Sequence, residues 1–173
     1  LVFGDWTTMS YMATTNLILA DGTFNCVLRG YTQLYIFHVV VANNFAVHAF
    51  FCLVRGKKKE TYKKIFRLVE GIAGSEGTTF FNRPVTVMCD LEDGFINAVR
   101  EHSTLVMVKC CFFHFVKNIR EKANRIITRI KKAMGQWSRI VLLAEKTKRR
   151  LMMLPLLPEE AITSEVVDLI IAA

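Results

Sequence analysis

The chain lacks a Cys-x-x-Cys pair, so its five cysteines, at 26, 52, 89, 110 and 111, do not have the spacing of a closed four-ligand zinc site. Their number is odd and most lie inside apolar runs, where cysteine behaves as a small buried hydrophobe. That argues against a disulfide framework and for a reduced, intracellular protein. Long apolar runs are also missing. The longest are broken by Asn43, Asn44 and His48, so none supplies a membrane span. The chain opens on Leu1 rather than Met, without the basic and apolar regions of a secretory leader. The expectation is a fragment of a longer protein that is not secreted. Acidic residues are in the minority, 15 against 23 basic ones, for a net charge of +8.

What is present is apolar. Hydrophobic residues make up 52% of 173, with thirteen Phe, enough to build the core of one domain of this size. Residues 16–20, 32–42 and 46–54 are apolar runs rich in β-branched and aromatic residues. Ala42, Asn43 and Asn44 supply a tight-turn signal between the last two. Three antiparallel strands in a meander are expected. The opening "LVFGDW" suits either an edge strand or a linker.

The period then changes. Tyr62, Ile65, Phe66, Val69, Ile72 and Ala73 recur at helical spacing, with Gly74 as the expected stop. Residues 74–84 read as a loop, 85–89 as a fourth strand, about 92–102 as a short helix and 103–110 as a fifth strand. Helices are expected from about 114 to 134, through Leu143, and after Pro158. The order β-β-β-α-β-α-β-α is that of a ribonuclease H-like fold: a mixed five-stranded sheet flanked by helices, with a helical C-terminal segment. The expected division is a core over residues 1–122 and a helical segment over 123–173.

In such a sheet the first and fourth strands are parallel neighbours, and here both run into acids, Asp21 and Asp90. Two adjacent carboxylates repel unless a cation joins them, and oxygen ligands suit Mg²⁺ or Mn²⁺. Phosphodiester chemistry commonly uses two such ions about 4 Å apart. The competing reading makes Asp21-Gly22 a turn and Asp90 a helix-start residue. The residue pattern alone leaves both open.

Several motifs occur in order: "DGTF" (21–24), "QLYIFHVV" (33–40), "TYKKIFRLV" (61–69), "VMCDLEDGFINAV" (87–99), "CCFFHFVKNIREK" (110–122) and a closing "LPLLPEEAITSEVVDLI". Together they resemble the transposase domain of Mutator-like elements, the MULE family of the DDE superfamily. The resemblance implies that Asp21 and Asp90 are the first two catalytic, metal-holding acids, and that Cys111 and His114 form the family's CxxH motif. It also implies cleavage and strand transfer on transposon and target DNA, in the nucleus. No organic cofactor or membrane partner is expected, and a homo-oligomer is compatible.

The family's third acid, a Glu, has no matching context here. Glu145, Glu159, Glu160 and Glu165 are candidates by type only, while Glu92 and Asp93 read as helix-start acids. Core packing is the plainer reading of Cys111 and His114, since two ligands do not make a zinc site. Lys117, Arg120, Arg125, Arg129 and Lys132 form a basic surface suited to phosphate contacts, beside an apolar stripe of Ile119, Ala123, Ile126, Ile127 and Ile130. The alternative function is a domesticated or decayed remnant that binds DNA or protein without catalysis. A cellular ribonuclease H-like nuclease fits less well with "DGTF" and CxxH.

Overall fold

In the computed structural model, which describes residues 1–42 and 45–172, the apolar runs become one mixed sheet. Its strands are β1 (Val2–Gly4), β2 (Leu17–Thr23), β3 (Gln33–Val40), β4 (Ala46–Val54), β5 (Val85–Cys89) and β6 (Val106–Cys110). Among the described residues their spatial order is β1-β4-β3-β2-β5-β6. β1–β4, β4–β3 and β3–β2 pair antiparallel, and β2–β5 and β5–β6 pair parallel. The sheet therefore has six strands, not the five expected. The extra one is the opening segment, whose Val2, Phe3 and Gly4 lie opposite Cys52, Phe51 and Phe50. Three residues are too few to display an alternation, so only the free edge of β4 makes this segment a strand. Asn43 and Asn44, where the tight turn was expected, lie outside the described residues.

The helices are α1 (Trp6–Ser10), α2 (Lys59–Ser75), α3 (Asp93–His102), α4 (Phe112–Met134), α5 (Arg139–Leu151) and α6 (Ser164–Ala172). Two compact units result, Leu1–Cys111 and Phe112–Ala173. The boundary expected after residue 122 falls inside α4. No described helix is long and apolar enough to cross a membrane.

In the first unit β3 alternates without a break: Gln33, Tyr35, Phe37 and Val39 are buried, while Leu34, Ile36, His38 and Val40 are half-buried. The buried row meets α2 and α3. Tyr35 lies 5.2 Å from Tyr62 and 4.9 Å from Phe95 between ring centroids, and Phe37 stacks on Phe50 at 4.3 Å. Each fully buried aromatic of this kind contributes about 2 kcal/mol through burial. The aromatic surface on one side of the sheet thus fixes which faces of α2 and α3 turn inward.

Helix α2 outlasts its expected stop at Gly74. It runs to Ser75, and Gly77, at φ 70°, takes the left-handed conformation that ends it. The loop after it is anchored from inside. Glu70 accepts hydrogen bonds from the Thr79 hydroxyl at 2.8 Å, the Phe80 N–H at 3.0 Å and the Phe81 N–H. Phe80 and Phe81 are thereby held in the core.

In the second unit α4 and α5 run antiparallel. Lys131 pairs with Glu145 at 3.2 Å, and Lys148 donates to Asn124 at 3.1 Å. Gly135 (φ 85°) breaks α4, and the Ser138 hydroxyl caps α5 by accepting from the Val141 N–H at 3.3 Å.

Candidate active site

The pairing of β2 with β5 decides where the two acids go. Leu17, Ile18, Leu19 and Ala20 stand opposite Thr86, Val87, Met88 and Cys89 in parallel register. The next residue on each strand is an acid, Asp21 on one and Asp90 on the other. β2 continues past its acid to Thr23, with Asp21 opposite Ile36 and Gly22 opposite Tyr35. Asp21-Gly22 is therefore not a turn.

The glycine has another reason. A Cβ added at Gly22 would lie 2.7 Å from Gln33 Oε1 and 3.1 Å from Tyr35 Cδ2, so the strand can approach β3 here only without a side chain. Its N–H donates to Asp21 Oδ1 at 2.8 Å. Ile18 and Ala20 are buried on the face they share with Phe37 and Val39. Alternation then sets Leu19 and Asp21 on the opposite face, where Asp21 is exposed. Asp90 follows Met88 in the same alternation and is half-buried.

The charge of Asp90 reaches its neighbours. The Tyr35 and Tyr62 hydroxyls and the Cys89 and Cys110 thiols are all pushed up, first by burial and in part by this carboxylate, Cys89 to about 12. Asp21 acts on His38, favouring its charged form, while burial and His48 lower its pKa. At Cys89 and Cys110 the positive charge of Arg100 works against the Asp90 carboxylate.

No third acid joins them: among the described residues, no group of three or more His, Cys, Asp or Glu could hold a metal. Glu92, two residues beyond Asp90, occupies the N-cap position of α3 without capping it. Its Oε1 accepts from the Tyr62 hydroxyl and lies 3.5 Å from Gln33 Nε2, and its Oε2 pairs with Lys57 at 3.2 Å. Glu145 is engaged with Lys131 and Lys148. Glu160 and Glu165 are exposed in the second unit.

The Cys111 N–H donates to the Cys89 carbonyl at 2.7 Å, carrying the β5–β6 pairing one residue past Cys110. His114 is the third residue of α4 and half-buried. All five cysteines are free. Only Cys52 and Cys89 are buried, while Cys26 and Cys110 are exposed, so the thiols are less uniformly interior than their apolar neighbours suggest. Lys117, Arg120, Arg125, Arg129 and Lys132 are all exposed on α4.

Residues 17–118, more than half of the chain, match the family model of the MULE transposase domain. The chain belongs to that family. No curated protein matches it. The matched MULE segment begins with β2 and ends in the second turn of α4, so it contains Asp21, Asp90, Cys111, His114 and Lys117. Arg120, Arg125, Arg129 and Lys132 lie beyond it.

Sequence reasoning missed Gln33, Tyr62 and Lys57. A signal for the first was available: alternation with Tyr35 and Phe37 forces Gln33 inward, and a buried amide needs polar partners.

Proposed function

We propose that this MULE transposase domain performs metal-dependent phosphodiester chemistry on DNA, with Asp21 and Asp90 as two of its metal-holding acids, in a ribonuclease H-like arrangement. What supports this reading is the β2–β5 register, which makes the two acids next neighbours on parallel strands of a family member. Carboxylate oxygens are hard donors that fit Mg²⁺ or Mn²⁺, and two of them form a partial ligand set. When bound, the cation supplies the positive charge that activates a hydroxyl and stabilises the leaving oxygen. The chain's own residues bind and orient. Asp21 is open to solvent, so a polyanion can reach it, and the exposed basic residues of α4 offer phosphate contacts.

Calorimetric titration with Mn²⁺ tests the site. Asp21→Asn or Asp90→Asn abolishes the weak binding of the parent chain while leaving its thermal unfolding intact. Mn²⁺ binding of equal strength in both variants would remove the paired-acid site.

A further inference from the structure

Behind the two acids runs a chain of polar contacts that joins the strand ends carrying them. Gln33 opens β3 and is fully buried. Its Nε2 donates to the Tyr62 hydroxyl, and that hydroxyl donates to Glu92 Oε1. Glu92 continues to Lys57 at 3.2 Å, and the Lys57 ammonium sits 4.1 Å from the centroid of the Phe24 ring. Phe24 closes "DGTF", and Gly22 of the same motif rests on the Gln33 amide. The contacts therefore start beside Asp21, pass through β3 and α2 to Glu92 two residues after Asp90, and return to the segment after Asp21.

The chemistry of these contacts is selective. Glu92 receives Tyr62 and Gln33 on one oxygen and Lys57 on the other. A carboxylate so engaged is held in place rather than offered to a cation. Gln33 Oε1 is buried without a hydrogen-bond partner, an arrangement that stability alone does not favour. The Lys57 carbonyl lies so close to Gly94 that a Cβ there would be 2.0 Å away, which presses the start of α3 onto the same segment.

We infer that Gln33, Tyr62, Glu92 and Lys57 form a clasp of positioning residues that fixes the separation of Asp21 and Asp90 for a shared divalent cation. This rests on the metal site proposed above. The clasp touches neither cation nor DNA. It acts through the backbone on either side of the acids, as partners behind metal ligands commonly do.

The test is Mn²⁺ affinity measured by calorimetry on the whole chain, beside thermal unfolding. Tyr62→Phe keeps the ring and removes the hydroxyl, and Glu92→Gln keeps the shape and removes the charge. Each lowers Mn²⁺ affinity about tenfold or more. Val69→Ala, a core change on the same helix, lowers the unfolding temperature but leaves Mn²⁺ affinity unchanged. Should Tyr62→Phe not fold, Lys57→Met, at a half-exposed position, gives a smaller loss in the same direction. Parent-like affinity in Tyr62→Phe and Glu92→Gln overturns the clasp and leaves the metal site standing. So does an equal loss in Val69→Ala. Parent binding that ignores Asp21→Asn and Asp90→Asn overturns the metal site, and the clasp with it.

Discussion

Two glycines near the acids show how much depends on single side chains that are absent. At Gly22 the obstacle to a Cβ is the end of the Gln33 side chain, 2.7 Å away, which can shift at some cost. At Gly94 it is the Lys57 carbonyl oxygen at 2.0 Å, and backbone between β4 and α2 cannot move aside without disturbing both. Gly94→Ala is therefore expected to destabilise the chain by about 3 kcal/mol and Gly22→Ala by about 1 kcal/mol. Urea unfolding midpoints order the two, and a reversed order counts against these contacts. Neither role was legible in the sequence. Asp-Gly is a frequent turn signal, and close approach leaves no pattern along the chain, because the approaching atom belongs to a distant residue.

The elements were legible where their period is local. The apolar stripe of α4 needs only its own residues: Ile119, Ala123, Ile126, Ile127 and Ile130 share one side at about 100° per residue. Ile127 is buried on it, while Ile126 is exposed, so the covered part is narrower than the stripe. Arg125, Arg129 and Lys132 fall on the far side, and all three are exposed. Arg125→Glu with Arg129→Glu is expected to weaken DNA binding at low salt and to reduce its salt slope by about two, roughly one per lost phosphate contact. Fluorescence anisotropy across a salt series measures this, and an unchanged slope would take DNA off this face. The segment after α2 was less legible. Its Gly, Ser and Thr residues read as loop, yet Glu70 draws Phe80 and Phe81 into the core by bonds spanning ten and eleven residues.

For the molecule as a whole, pH dependence follows from two histidines of the first unit. Burial lowers the pKa of both, helped by His48 at His38 and by Arg67 at His102; Asp21 and Glu70 respectively oppose it. Their usual value is 6.5. Because the folded values lie lower, the unfolded chain takes up protons first as pH falls. The contribution of these two histidines to stability is fully present above 6.5 and is lost below it, towards the folded values. Glu101 does not blur this window, since hydrogen bonds from Lys59 and Lys63 hold it down at about 2 and it stays ionised throughout. The thermal midpoint is expected to fall between pH 7.5 and 5.5, and less so in His102→Gln. A midpoint that is flat or rises on acidification contradicts this account of the two histidines.

The sequence by itself determined the apolar runs that become β2 to β6, the helical stripes, the placement of an acid next after each of two of those runs, and the ordered motifs that mark a MULE domain. All of these are written in neighbouring residues, where side-chain period and composition act directly. Only the tertiary structure decided that a sixth strand completes the sheet, that Asp21 lies within β2, and which residues face each other where β2 and β5 pair, Ala20 against Cys89 just before the two acids. It alone also joined Gln33, Tyr62, Glu92 and Lys57. Register and buried polar partnership depend on which distant surfaces meet. That choice is made by the packing of the whole core, not by any one segment.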